Sequence, residues 1–461
     1  MKKLKTFLSA AFVLALLFSS LPALGDNVIG DSIYEGKRRK FKKDTPSPWF
    51  GYKHTSPYAT GDWWGYRTEL EEKGVTVTSS YVFDVLGNTT GGKVQAVRYD
   101  HSWGFDYLFD LDKLMGLKGL KFDFSWLWRA GQNLSVFAIK NQFNTSSIFG
   151  SEQVRLYGLS LDQSLFDGKL SVKLGRIATG DDFASSPIYW IYMNNAIDGN
   201  PISLPLNLPF IAYPTATWGV RTVFKPAEWL IWKFGMYNGD DRVGRMSAHG
   251  VDYSLRLSKG VMFIQQLELL PDQVEGSKWL PGHYWLGLYY HSGRFFDQYQ
   301  DTDGASYMAT GVSRKKHIGN YGLYTHFDQM IYHEEDTVDQ GLTAFVVTTW
   351  APEDINKFPF FIDGGVFYKG LIPERDDDIM AWGFAYGNWS KDLYSAQSDN
   401  RDYNGAAVWP QRYEMMLEFT YKAMITKWFF IQPDLQVIIN PNGEDRYRNA
   451  LVLGTRVGIT F

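Results

Sequence analysis

The 461-residue sequence predicts an all-β fold: a transmembrane antiparallel β-barrel of sixteen strands, with inward-folded loops and a short N-terminal periplasmic segment. Three observations carry that prediction. Apolar and polar side chains alternate along segment after segment, aromatic residues make up 17% of the chain, and the alternation runs to the last residue. In the final stretch "LVLGTRVGITF", Leu451, Leu453, Val457, Ile459 and Phe461 share one parity, and Gly454, Arg456, Gly458 and Thr460 the other. A period of two belongs to a strand with one greasy and one wet face. Soluble chains more often end in frayed polar residues.

The chain opens with Lys2, Lys3 and Lys5, an apolar run from Phe7 to Leu17, and small residues at Ala23-Leu24-Gly25. This is the pattern of a secretory signal peptide spanning 1–25, cut before Asp26. A membrane anchor fits less well, because the apolar run is short and Pro22 follows it. Residues 26–73 read as a periplasmic segment, partly disordered, with a short helix near 62–73 capped by Asp62. Within it, "KRRKFKK" at Lys37 to Lys43 reads as a solvated basic arm. Residues 74–461 read as the barrel.

Composition narrows the class further. No cysteine is present, so stability is expected from a large hydrogen-bonded scaffold or from the surrounding medium. After the signal no apolar run is long enough for a transmembrane helix. The 28 Tyr, 32 Phe and 17 Trp are too many for one ordinary core and suit girdles at membrane–water interfaces. The net charge of −4 becomes −7 when the three signal lysines are removed (−4 − 3), which argues against nucleic acid as a partner.

The strands follow in order. "VTVTSSYVFDV" sets Val75, Val77, Tyr81, Phe83 and Val85 against Thr76, Thr78, Ser80 and Asp84. "YDHSWGFDYLFD" sets Tyr99, Trp103, Phe105, Tyr107 and Phe109 against Asp100, Ser102, Gly104, Asp106 and Asp110. "LKFDFSWLWR" opposes Leu120, Phe122, Phe124, Trp126 and Trp128 to Lys121, Asp123, Ser125 and Arg129, and "RYEMMLEFTYK" opposes Tyr413, Met415, Leu417, Phe419 and Tyr421 to Arg412, Glu414, Glu418 and Lys422. A soluble β-sandwich also alternates, but its apolar face is mostly aliphatic and its strands are fewer. Closing a barrel leaves no edges to protect.

About seventeen candidate strands can be counted. An even number is required when both termini lie on the periplasmic side, so one candidate is false. It lies between Trp218 and His291, where runs around Val220, Tyr253 and Ile264 alternate poorly. Short turns ("LFDGK", "KAMITK") alternate with long loops ("FNTSSIFGSEQ", "FFDQYQDTDGASYMATGVSRKK", "SKDLYSAQSDNRDYNGAAVWPQ"). The longest, between Gly180 and Thr217, carries five prolines and many apolar residues. Such a loop is expected to pack in the lumen, with an outer flap or a subunit contact as the alternative.

Several blocks then become familiar in order: "ATGDWWGYRTELEEKGVTV", "RAGQNLS", "QSLFDGKLSVKLGR", "DDFASSP", "LPLNLP", "AYPTATWGVR", "GNYGLYTHFDQMIY" and "DGGVFYKG". From about Tyr58 to Phe461 the chain resembles the carbohydrate-selective porin family, the OprB-type outer-membrane channels. It departs at Trp64-Gly65, where the family has a glycine pair, and in the block after "GQNLS". The resemblance implies a sixteen-stranded porin of a Gram-negative outer membrane, trimeric, passing glucose-like sugars by diffusion, with no reaction catalysed and no cofactor. The aromatic terminus, Phe461, resembles the signal read by the barrel-assembly machinery.

A channel favouring sugars needs donors and acceptors of both signs, and aromatic faces for sugar C–H groups. The wet parity offers Lys121, Asp123, Arg129, Lys173, Arg221, Lys233, Asp363, Arg412, Glu414, Glu418 and Arg456, with balanced signs. Arg129 and Arg221, which lie in resembling blocks, and Trp190 and Asn195 in the long loop, are the leading pathway candidates. A wide wet lumen accepts polar residues without using them, so each is set against that reading. No G-x-S-x-G or H-E-x-x-H motif supports an outer-membrane enzyme, the rival class. The loops "DTDG" and "NRDYNG" lack the closing glutamate of a calcium site. A general porin for small polar solutes is the alternative within transport.

Overall fold

A computed structural model describes residues 56–150 and 152–461. The signal peptide and the basic arm at Lys37 to Lys43 lie outside the described residues. Sixteen strands close into one antiparallel barrel. They are β1 Val75–Gly92, β2 Val97–Asp110, β3 Leu120–Gly131, β4 Gln153–Leu165, β5 Leu170–Ile177, β6 Thr217–Ala227, β7 Leu230–Asn238 and β8 Val261–Leu269. The second half holds β9 Gly282–Asp301, β10 Arg314–His333, β11 Gly341–Trp350, β12 Phe360–Lys369, β13 Ile379–Asn388, β14 Tyr413–Thr426, β15 Phe429–Ile439 and β16 Arg448–Thr460.

The terminal strand closes the barrel. β16 pairs with β15 on one side and with β1 on the other, from Ser80↔Thr460 to Gly92↔Arg448. Even the last residue is held, because the Phe461 N–H donates to the Ser79 carbonyl. Ahead of β1 a short helix, Tyr66–Glu72, sits at the same end. Asp62 Oδ1 accepts from the Thr68 N–H and hydroxyl, although Gly65 occupies the N-cap position. Arg67 donates to the Val77 carbonyl and lies over the Tyr58 and Trp63 rings, tying the helix to β1.

The seventeenth candidate is resolved as the run around Tyr253. Contrary to the expectation of poor alternation, Val251 to Leu257 is apolar at every second residue, yet it pairs with no strand along its length. Two loops are also shorter than the sequence suggested. Phe295 to Asp301 and Arg314 to Lys316 belong to β9 and β10, which reach twenty residues each. "KAMIT" is strand, and only Lys427-Trp428 turns between β14 and β15.

The outward parity is apolar all the way round, from Tyr99 and Trp128 through Phe234, Leu267, Phe327 and Trp382 to Leu435 and Leu453. At the end of the barrel holding both termini, aromatic rings pair across β2 and β3: Phe105 with Trp126, Tyr107 with Phe124, and Phe109 with Phe122. Phe461 joins this girdle next to Trp103. Such belts match the level of lipid head groups.

The hydrophobic core sits inside the barrel, where inward loops meet the wall. Residues 132–150, 178–216, 351–359 and 389–412 supply Ala138, Phe143, Phe183, Tyr192, Met193, Phe358 and Trp389, all buried. Phe143 meets Phe361 edge-on at 5.7 Å, and Phe358 meets Trp389 at 4.4 Å.

The Phe105–Trp126 stack, with centroids 4.1 Å apart and planes within 7°, is the tightest girdle pair. Trp126→Leu should lower the unfolding free energy in lipid vesicles by about 1 kcal/mol, read by urea titration.

Candidate functional site

Inside the barrel, β14 carries two carboxylates four residues apart, Glu414 and Glu418. Four residues on a strand is an even step, so both point inward at two heights roughly 13 Å apart. Glu414 accepts the backbone N–H groups of Gln142 (3.0 Å), Phe143 (2.7 Å) and Asn442. Glu418 accepts those of Met193 (2.6 Å) and Asn194 (3.1 Å). One glutamate therefore holds the loop between β3 and β4, and the other holds the long loop between β5 and β6.

The neighbouring strands add to the same seam. On β15, Gln436 donates to the Thr145 carbonyl and accepts from Asn194, and Gln432 donates to the Ile191 carbonyl. On β16, Arg456 grips Asp84 of β1 with two nitrogens at 2.8 and 3.0 Å, and reaches Asp198 of the long loop at 2.9 Å. Its third contact is the Ser147 hydroxyl of the shorter loop. Burial pushes the Asp198 carboxyl above the ordinary carboxylate range, a rise that the Arg456 guanidinium reduces without cancelling. Ser146 bridges Asp84 and Asp100.

The opposite flank of the long loop is fixed to β8, β10 and β11. Its Ala184 N–H donates to Gln266, Tyr189 hydrogen-bonds His326 at 2.7 Å, and Ser203 meets Thr349. His326 in turn bonds Asp328 and stacks on Trp285 at 3.8 Å. Where the loop lands, the inward positions of β13 are small (Ala381, Gly383, Ala385 and Gly387), and Gly365 of β12 lies opposite Gly383. A Cβ at Gly383 would lie 2.6 Å from the Tyr192 ring, and one at Gly365 would lie 2.5 Å from its hydroxyl. The glycines make the floor on which the loop lies.

The pathway candidates separate on this frame. Glu414 and Glu418 are 0% and 1% exposed, so they serve loop amides and do not face water. Arg221 is spent on Asp182 (2.9 Å) and Asp162 (3.0 Å), joining the wall to the loop. Lys233 pairs with Glu268 at 2.6 Å and donates to the Asp182 carbonyl. Arg129 is buried, donating to Ser102 and lying 4.6 Å from the Tyr213 ring centre. Asp363 is buried on β12, its Oδ1 without a hydrogen-bond partner among the described residues. Arg412 lies exposed beside Tyr394, just before β14 begins.

Lys121 and Asp123 on β3 and Lys173 on β5 remain partly exposed, next to Asp106 on β2 and Asp162 on β4. The inward residues of β8 to β15 are mostly covered by loops, whereas these halves of β1 to β5 stay open. From the loop, Trp190 is 60% exposed, and Asn195 is half-buried with its Oδ1 unpartnered. Two residues that the pathway candidates left out are central here: Tyr213 and Tyr157. Their rings meet edge-on at 4.8 Å, and Tyr157 hydrogen-bonds Asp181. The block "AYPTATWGVR" contained Tyr213, but nothing in its spacing showed which wall it would face.

A larger side chain at the landing strip tests this arrangement. Gly383→Leu should displace Tyr192 and with it the loop, raising single-channel ion conductance by roughly half or more while the barrel still folds.

A family model described as "Carbohydrate-selective porin, OprB family" matches residues 94–461. Porin B of Pseudomonas aeruginosa is 30% identical over 422 residues, covering 88% of this chain and 92% of that protein. A putative porin, QuiX, of Acinetobacter baylyi is 23% identical over 425 residues, with 87% and 92% covered. Among solved structures, the high pH structure of Pseudomonas putida OprB superposes with a TM-score of 0.84 at 28% identity, covering 88% of this chain and 99% of that one. A closed sixteen-strand barrel, a loop pinned across its lumen and these relatives agree: the chain belongs to the carbohydrate-selective porin family of outer-membrane channels.

Proposed function

We propose that this porin passes neutral, glucose-sized sugars by passive diffusion along the open inner wall of β1 to β5, past the edge of the pinned loop. The observation that carries the reading is the composition of that open wall. Lys121 and Lys173 stand with Asp106, Asp123 and Asp162, so donors and acceptors of both signs face the water. Mixed charge gives hydroxyl-rich solutes many partners and gives neither sign of ion a continuous track. Exposed Trp190 and Tyr213 offer flat faces to sugar C–H groups. Binding must remain weak, since a solute held tightly does not leave.

The remaining parts of the proposal follow from export. Residues 1–25 direct secretion and are removed, and residues 26–73 remain as the periplasmic lead-in to β1. Phe461, at the end of β16, is the recognition element for barrel assembly. Association as a homotrimer rests on the family resemblance, and light scattering in detergent decides it: three chains per particle supports it and one overturns it.

Liposome swelling with glucose, a trisaccharide, amino acids and salts tests the function. Faster passage of glucose than of equally small charged solutes is expected. Equal rates would indicate a general porin, and no swelling would overturn channel function. Trp190→Ala should weaken sugar block of ion current about two- to fivefold, the size of a contact worth ~0.5–1 kcal/mol.

A further inference from the structure

The alternating run that failed to become a strand has an unusual position. The loop between β7 and β8, residues 239–260, does not fold into the lumen at its second half. The His249 carbonyl accepts from the Leu156 N–H, and the His249 ring reaches the Val154 carbonyl. These groups belong to the upper part of β4, whose pairing with β5 stops at Leu159↔Arg176. His249 therefore seals an open sheet edge, which would otherwise leave backbone groups without partners.

From there the chain passes over the outer surface of the wall. The pairs Lys173↔Arg221 and Arg176↔Trp218 fix the faces of β5 and β6. Arg221 points inward to Asp182, so Arg176 and Trp218 point outward, on the face that bears Leu174 and Phe224. Arg176 is nevertheless almost completely covered. Its guanidinium donates to the carbonyls of Asp252 and Ala216 and lies 5.3 Å from the Tyr253 ring. Trp218 Nε1 donates to the Tyr253 carbonyl at 2.9 Å. The segment roofs an arginine that would otherwise sit bare on an apolar face.

Its own outer surface is apolar on every second residue. Val251, Tyr253, Leu255 and Leu257 are 56%, 48%, 46% and 59% exposed. Between them Asp252, Ser254 and Arg256 are partly covered, with Arg256 bonded to Asp240 at 3.1 Å. The wall beneath is short at β5. The eight residues of β5 extend about 27 Å, which at a tilt near 40° gives only about 20 Å of height against an apolar band of roughly 25 Å.

We propose that residues 251–257 form a membrane-embedded strap, with Val251, Tyr253, Leu255 and Leu257 among the acyl chains of the outer leaflet, completing the apolar band above the short strand β5. The occupant is lipid because the strap continues the outward belt of Leu174, Phe224 and Trp232 without a break in chemistry. This rests on the barrel's place in the outer membrane, and the test separates the two.

The chain has no cysteine, so single-cysteine variants can be spin-labelled directly. Labels at 251, 253, 255 and 257 in liposome-reconstituted protein should collide with oxygen several-fold more than with a water-soluble nickel chelate, and labels at 252 and 254 should not. Leu267→Cys, on the outward face of β8, is the belt control, and heat-modifiable gel mobility selects folded variants. Nickel-dominated collisions along the strap with an oxygen-dominated control overturn the strap alone. Nickel-dominated collisions at the control as well overturn the membrane reading and the strap together. Spin–spin broadening confined to the odd positions overturns lipid as the occupant in favour of a second copy.

Discussion

A loop laid across the inside of a barrel brings its backbone N–H groups where neither a sheet neighbour nor bulk water serves them, and each must find an acceptor. In this protein two glutamates of one strand supply five acceptor contacts, four to inward loops and one to Asn442 between β15 and β16. Glu414 takes the amides of Gln142, Phe143 and Asn442, and Glu418 takes those of Met193 and Asn194. These contacts hold the β3–β4 and β5–β6 loops against the wall, alongside the bonds from Gln266, His326, Thr349 and Arg221. A carboxyl group with two oxygens can accept several N–H groups at once, and leaving those amides unpaired costs about 1–3 kcal/mol each.

The rest of the interior is organised to make that docking unique. Glycines and alanines on β12 and β13 leave a flat strip for Tyr192, and larger side chains there would collide with it. Arg456 joins the first strand, the last strand and both loops through Asp84, Asp198 and Ser147. The barrel seam and the constriction are thus one network, so the closure of the cylinder and the shape of its channel are set together. By filling one side of the lumen and leaving the wall of β1 to β5 open, the loops decide which polar groups a solute meets.

The strand pattern was legible because each strand answers to two solvents at once, and that leaves a period-two record in the sequence. The faces of β1, β2, β3, β14 and β16 follow directly from it. The packing of the long loop was legible from its five prolines and its apolar content. The individual pathway residues were not. Parity places Glu414, Glu418 and Arg221 on the wet side of the wall, but it does not tell a side chain facing water from one facing a loop. That choice depends on which loop residues lie opposite, 39 positions away in sequence for Arg221 and Asp182 and 272 for Glu414 and Gln142. The Tyr253 run shows the converse: its alternation is real, but the second period comes from lying on the outside of the wall and not from sheet pairing.

Amide hydrogen–deuterium exchange, followed by mass spectrometry on the protein in detergent, tests the central claim most directly. Residues 191–197 should exchange slowly in the unmodified protein. Glu418→Ala should release that segment to exchange at least tenfold faster, while peptides from β14 and β15 keep their protection. Fast exchange of the segment in the unmodified chain, or no change in the variant, would contradict the account.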